Sequence, residues 1–323
     1  MSLLRQLLRL GLKLLGPALL LYFLLTTDLA RLWAILVRTN PFLLMLSVVL
    51  VVPFLFLKGW RWQLILDAWQ IKIDLIDATA LYTVGIFLGT MTPGQAGDAV
   101  KAWYLRQRGQ SLAAGLASVV LDRLFDVGVM ALLAASGLYF FWNVLPGGKV
   151  ANVITVAGML VVVAVGLLVA SIRRLRTFAV GLVPAGLRSR INMRAVEQMH
   201  LEPREIITIA VVTVAGLAVT FVRVYLLFLA LDTPIPVGPF IALIATIALV
   251  GTASPAGVGT RDAVMVLLLS AILTLPPADE RARAIALSTL LLVLSVENVV
   301  VGYLLSLRYP LAAIQQQASG ESS

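Results

Sequence analysis

Gly89-Thr90-Met91-Thr92-Pro93-Gly94-Gln95-Ala96-Gly97-Asp98-Ala99-Val100 returns 162 positions later as Gly251-Thr252-Ala253-Ser254-Pro255-Ala256-Gly257-Val258-Gly259-Thr260-Arg261-Asp262-Ala263-Val264, two residues longer. Both copies read Gly-Thr-x-[Ser/Thr]-Pro, then a glycine-rich turn, then Asp-Ala-Val opening an apolar helix. The apolar runs beside each copy are too short to span a bilayer, so each copy is expected to form a hairpin that enters the membrane and returns. Non-helical backbone at membrane depth is tolerated only where protein or a water-filled cavity surrounds it. Paired interruptions at matching places in two halves of a chain point to a transport site.

Working outward, the 323 residues are 60% hydrophobic and 13% charged, which excludes an ordinary soluble domain. Several apolar runs approach the roughly 20 residues that a spanning helix needs. The absence of cysteine excludes disulfides and thiolate metal sites. The single histidine, His200, lies in a polar connection, where a solvated side chain is expected rather than a metal ligand. The net charge of +9 does not indicate nucleic acid, because lysines and arginines collect between apolar runs, as positive-inside sorting requires. Arg5, Arg9 and Lys13 resemble the basic front of a signal peptide, but no small-residue cleavage site follows, and a retained first span is expected.

The expected fold is an all-α polytopic membrane protein with six full transmembrane helices and two re-entrant helical hairpins, arranged as an inverted repeat. The spans are about 10–27, 41–57, 112–142, 150–172, 205–231 and 284–307, with hairpins at 75–109 and 237–275. The halves cover about 1–142 and 150–308 of a single domain, and 309–323 is a polar tail. Lys58-Gly59-Trp60-Arg61-Trp62 is expected in the headgroup layer, with residues 63–77 along the inner surface. Trp103 and Tyr104 are expected as interface anchors, and 276–283 as an outer connection. Of 25 lysines and arginines, this topology puts 17 inside, five outside (Arg31, Arg38, Lys149, Arg281, Arg283) and three within the membrane (Arg123, Arg223, Arg261). Both termini are then cytoplasmic, in the cytoplasmic membrane. Making residues 75–91 a full crossing would put the arginine-rich 173–204 loop outside.

A glycine-rich turn leading into a helix offers free N–H groups and the positive end of the helix dipole, an anion site. Asp98 and Asp262 either cap the second helix of each hairpin or belong to such a site. Charges within the membrane mark pathways or ion pairs. Asp122 and Asp126 share one helix face, with Arg123 turned about 100° away. Arg61, Lys101, Arg223 and Arg261 are the candidate cations for them, and structural pairing between spans is the alternative. Glu297 is the further carboxylate of the last span. No P-loop and no metal-ligand cluster occur in the sequence, so no cofactor and no direct ATP coupling are expected.

With Val120-Leu121-Asp122-Arg123-Leu124-Phe125-Asp126, the two hairpins resemble the lysylphosphatidylglycerol synthase transmembrane region, or flippase-like domain, family. The shared pattern is Thr-Pro-Gly-x-x-Gly-[Asp/Glu], then Val-x-x-[Asp/Glu]-Arg-x-x-Asp, then Pro-x-Gly-x-Gly in the second half. The resemblance covers nearly the whole chain. It implies a lipid-translocating domain, with Gly94, Gly97, Asp98, Asp122, Arg123, Asp126, Pro255, Gly257 and Gly259 at motif positions. Asp98 and Asp122 stand where many relatives carry glutamate. The chain ends at Ser323 without a synthase domain, so aminoacyl transfer is not expected of it. The leading expectation is an ATP-independent flippase or scramblase for a phosphate-bearing or aminoacylated lipid. The alternative is a membrane-embedded enzyme, or an accessory subunit, in envelope lipid or glycolipid synthesis. Expected partners are membrane lipids and a separately encoded lipid synthase or glycosyltransferase. Oligomer formation is left open by the sequence.

Overall fold

The computed structural model describes residues 29–92, 97–141, 148–171, 200–253, 260–270, 272–273 and 277–308. The first expected span, both hairpin turns, most of the 173–204 connection and the tail lie outside them. Eleven helices follow in order among the described residues: α1 Leu29–Val37, α2 Pro41–Val49, α3 Val51–Ala68, α4 Leu75–Met91, α5 Val100–Gln107, α6 Leu112–Phe140, α7 Gly148–Ser171, α8 Pro203–Ala230, α9 Val237–Ala253, α10 Thr260–Ser270 and α11 Pro277–Arg308. Pro41–Ala68, Pro203–Ala230 and Ala282–Arg308 are long and apolar enough to cross a membrane. Leu75–Thr90, Asn152–Leu168 and Val237–Val250 are shorter apolar segments.

Local chemistry sets the boundaries. Asn40 accepts from Phe42 N–H (3.0 Å) and Leu43 N–H (3.4 Å), and Pro41 occupies the first turn of α2, where its missing donor costs nothing. The helix is interrupted only at Leu50. Pro53 explains the break, since its ring crowds the carbonyl of Val49 four residues back. Ser111 starts α6 by accepting from Ala114 N–H at 3.1 Å. At the start of α8 the Glu205 carboxylate accepts from Glu202 N–H at 2.7 Å.

The packing between helices is reciprocal. The helices α4 and α9 are both 17 residues long, with both bounds shifted by 162 positions (75 to 237, 91 to 253). Helix α4 packs along α11, and α9 packs along α6. Helix α3 lies against α8, joining the two sets. Association in lipid relies on close approach and small side chains. Accordingly Ala131 and Ala134 of α6 meet Ala245 of α9 in one buried cluster. A larger cluster gathers Phe228, Phe240, Leu243, Leu268 and Leu287 from α8, α9, α10 and α11.

Four expectations are corrected. Residues 63–68 do not lie along the surface, because α3 continues unbroken to Ala68. The basic-aromatic run inside it is not a headgroup belt: Lys58, Arg61 and Trp62 are buried, and Trp62 Nε1–H donates to Ser118 Oγ at 3.1 Å. Tyr104 is likewise buried rather than an interface anchor. Residues 277–283 form the first turns of α11, where Arg283 donates to Asp232 O (2.8 Å) and Thr233 Oγ1 (2.6 Å) and so ties α11 to the end of α8.

Candidate functional site: a buried ion cluster at the first hairpin

Helices α3, α4, α5 and α6 converge on seven charged side chains and one phenol. Helix α6 contributes Asp122 and Asp126 one turn apart, so both carboxylates face α3. Helix α3 answers with Lys58 and Arg61, three residues apart on one face. Arg61 donates from Nε to Asp122 Oδ1 (2.8 Å), from Nη2 to Asp126 Oδ2 (3.0 Å), and from Nη1 to Asp126 Oδ1. A fork shared between two carboxylates uses the planar, multi-donor geometry that lysine lacks. Lys58 Nζ closes the other side of Asp126, at 2.6 and 2.8 Å from its two oxygens. Tyr82 from α4 donates to Asp122 Oδ2 (2.8 Å) and accepts from Arg61 Nη2 (3.1 Å). Arg61 and Asp122 are 1% and 0% exposed, so removing either partner would strand a buried charge.

The hairpin's descending arm supplies the rest. The residue preceding α5 is Ala99, which makes no side-chain cap, and Asp98 turns away from the helix end. Its Oδ2 accepts from Arg123 Nε at 3.0 Å and lies 2.9 Å from Nη2. Ion pairing, not capping, is therefore what Asp98 does. Arg123, turned off the Asp122/Asp126 face as the helical period requires, points to the hairpin instead. Its side chain is 33% exposed while Asp98 is 3% exposed, so Arg123 forms the accessible edge of the cluster.

Lys101 occupies the centre. Its ammonium is 0% exposed, 2.9 Å from Asp98 Oδ1 and 3.7 Å from Asp122 Oδ2. It lies over the Tyr82 ring at 3.9 Å and the Trp62 ring at 5.5 Å. The Asp98 contact is ionic but poorly aligned, and Lys101 Nζ and Asp98 Oδ1 both lack a hydrogen-bond partner. Gly85 of α4 makes room for this pair: a Cβ there would stand 2.6 Å from Asp98 Oδ1 and 3.2 Å from Lys101 Cδ. Gly97 is held equally tightly. Its N–H donates to Thr92 Oγ1 at 2.6 Å, and a Cβ would come within 2.2 Å of Leu88 O.

A second group is set apart from the first. Arg223 of α8 donates to Glu297 Oε2 of α11 (2.6 Å) and to Ser47 O of α2 (2.9 Å), and Ser47 Oγ–H donates back to Arg223 O (2.8 Å). The Phe54 ring stands between the groups, 5.4 Å from the Arg223 guanidinium and 5.9 Å from Lys58 Nζ. Thus Asp98, Lys101, Asp122, Arg123 and Asp126 come together, while Arg223 and Glu297 form their own pair. Arg261 and Asp262 belong to the first turn of α10, and only their backbone is described. Gly94, Pro255, Gly257 and Gly259 lie outside the described residues. Lys58, Tyr82 and Gly85 were not singled out in the sequence. The i, i+3 spacing of Lys58 and Arg61, matching Asp122 and Asp126, was the available signal for Lys58. No trio of metal-ligating side chains converges among the described residues.

An interior ion cluster in a chain with three helical segments long and apolar enough to cross a membrane among its described residues defines a helical membrane protein. The chain belongs to the lysylphosphatidylglycerol synthase TM region family, whose model matches residues 8–293. It is similar to the UPF0104 membrane protein MJ1595 of Methanocaldococcus jannaschii, 22% identical over 268 residues that cover 76% of this chain and 79% of that one. A role connected with membrane lipid follows from the family.

Proposed function

We propose that the chain moves a phosphate-bearing lipid headgroup across the cytoplasmic membrane without ATP, while the acyl tails stay in lipid. The observation that carries this reading is the fully buried Lys101 ammonium, without an aligned hydrogen bond, behind a guanidinium that is one-third exposed. A phosphate reaching Arg123 competes with Asp98 for the same donors. Asp98, once released from Arg123, keeps its ion pair with Lys101 at 2.9 Å. The carboxylate therefore stands in for the headgroup and is displaced by it, so the cluster is never left with an empty guanidinium.

The two hairpins act as re-entrant, inverted-repeat halves of one site, in a topology of six full spans with both termini cytoplasmic. Three relations support this: the 162-position shift of α4 onto α9, the same shift of Arg61 onto Arg223, and the reciprocal packing of α4 on α11 and α9 on α6. Antiparallel halves can exchange packing and open one site to each leaflet in turn. Reconstitution into vesicles with a headgroup-labelled phospholipid tests the reading, with dye quenching by a membrane-impermeant reductant as the measure of translocation. Wild-type protein is expected to expose inner-leaflet lipid to the reductant, and Arg123→Ala to fall to the protein-free rate. Failure of the wild type to move any phospholipid would leave the enzyme or accessory-subunit reading in its place.

A further inference from the structure

Resting on the transport reading, the charge balance of the interior narrows its cargo. The cluster holds four cations (Lys58, Arg61, Lys101, Arg123) against three carboxylates (Asp98, Asp122, Asp126). Its formal sum is one positive charge. The Arg223–Glu297 pair adds nothing to that sum, and Arg261 and Asp262 bring opposite charges to α10. Among the described residues the three buried cations are matched by the three carboxylates, so the excess charge falls on the one-third exposed edge at Arg123, where one negative charge from outside completes the set. Lys101 supplies a second observation, since its buried ammonium is held by Asp98 as an ion pair at 2.9 Å without an aligned hydrogen bond.

We infer that the cargo headgroup carries one net negative charge, as a phosphodiester without an attached ammonium. Asp98 is already shared by Lys101 and Arg123, Asp122 by Arg61 and Lys101, and Asp126 by Lys58 and Arg61. An aminoacyl or choline cation entering here would meet no carboxylate without an ion partner, since Asp98 Oδ1, though it lacks an aligned donor, already lies 2.9 Å from the Lys101 ammonium. Glu297 keeps one buried oxygen without a donor, but Arg223 already matches its charge. A phosphomonoester, with about −1.5 to −2 charges at neutral pH, overshoots the balance.

The test is competition in proteoliposomes among four labelled lipids. Phosphatidylglycerol carries one negative charge, phosphatidylcholine none, phosphatidate nearly two, and lysyl-phosphatidylglycerol is a net cation. Wild-type protein should move phosphatidylglycerol at least about tenfold faster than each of the others, the ratio that one unit of log affinity gives. Lys58→Met brings the sum to zero and should erase the preference over phosphatidylcholine. Asp126→Asn raises the sum to two and should shift preference toward phosphatidate. The double variant Lys58→Met/Asp126→Asn removes both partners of one ion pair, restores the sum of one, and should regain the phosphatidylglycerol preference. The inference is overturned if wild type moves lysyl-phosphatidylglycerol or phosphatidylcholine as fast as phosphatidylglycerol. It is equally overturned if the double variant moves lipid without the preference. Transport of none of the four by wild type rejects the transport reading itself, a different result from transport with the wrong order.

Discussion

Arg61 and Arg223 stand 162 positions apart, the same interval that separates the two hairpin motifs, and each guanidinium closes on carboxylate from a later helix. Arg61 takes two carboxylates and Arg223 takes one plus a backbone carbonyl. The first pairing is crowded with neighbouring ions; the second is flanked by a phenylalanine ring and a serine. Among the described residues the larger ion cluster lies in the first half, and the following predictions address that half.

Replacing Arg61 by Met strands Asp122 and Asp126 together in a buried site. Loss of one partner of such a network costs about 3–5 kcal/mol. Thermal unfolding in detergent should show a large drop. The quadruple variant Lys58→Met/Arg61→Met/Asp122→Asn/Asp126→Asn should recover much of it, because it removes the stranded carboxylates together with Lys58, whose partner is Asp126, and leaves Lys101 its pair with Asp98. An Arg61→Met protein melting like the parent would show that the fork does not hold α3 to α6.

Arg123→Ala and Arg123→Lys should separate transport from stability. The side chain is one-third exposed, so its pair with Asp98 contributes little to folding. Headgroup flux should be lost in the alanine variant and reduced in the lysine variant, since lysine offers a point charge where arginine offers a fork. Melting temperatures should stay near the parental value in both.

Asp98→Asn removes the internal competitor for Arg123. Binding of a phosphate-headgroup lipid, followed by native mass spectrometry, should tighten while the turnover rate falls. Weaker binding together with slower turnover would mean that Asp98 orders the hairpin and does not compete with the cargo.

Gly85→Ala adds a single methyl group 2.6 Å from Asp98 Oδ1, with the stem of Lys101 behind it. Neither neighbour can retreat far, as both are buried. Flux should collapse without any change of charge. Gly158→Ala, whose added Cβ meets nothing within 4 Å, is the matched control and should be silent.

Gln107, at the end of α5, and Pro234, between α8 and α9, are both exposed. In this cysteine-free chain, Gln107→Cys should react with an impermeant thiol reagent only after the cytoplasmic face is opened. Pro234→Cys should react in intact cells. Labelling of Gln107→Cys from outside would refute the re-entrant reading of α4 and α5.

Periodicity carried the local part of this architecture into view. The expected first arm of the hairpin, 75–91, coincides with α4, a mainly apolar helix that starts at the Asp74 cap and stops at Thr92-Pro93. The helical period also separated Arg123 from Asp122 and Asp126. Hidden from the sequence was the inward turn of Lys58 and Trp62, while Arg61 stood among the candidate cations for Asp122 and Asp126 and pairs with both. Basic and tryptophan residues at the end of an apolar run look the same whether they meet headgroups or carboxylates. Only the partner decides, and Asp126 lies 68 positions from Lys58. Tyr82 stayed hidden for the same reason, one aromatic among many until Asp122 gives its hydroxyl a destination.

That sequence interval between Lys58 and Asp126 also bears on how the protein is made. The ribosome completes α3, with two cations on one face, well before it reaches the acidic face of α6. At roughly 5–20 residues per second, 68 residues take about 3–14 s. Over that time α3 cannot settle in hydrocarbon without stranding both charges. Until α6 arrives, each charge costs about 2.5–3.5 kcal/mol at the bilayer centre and less near the water-facing surface, and pairing with the acidic face of α6 removes that cost.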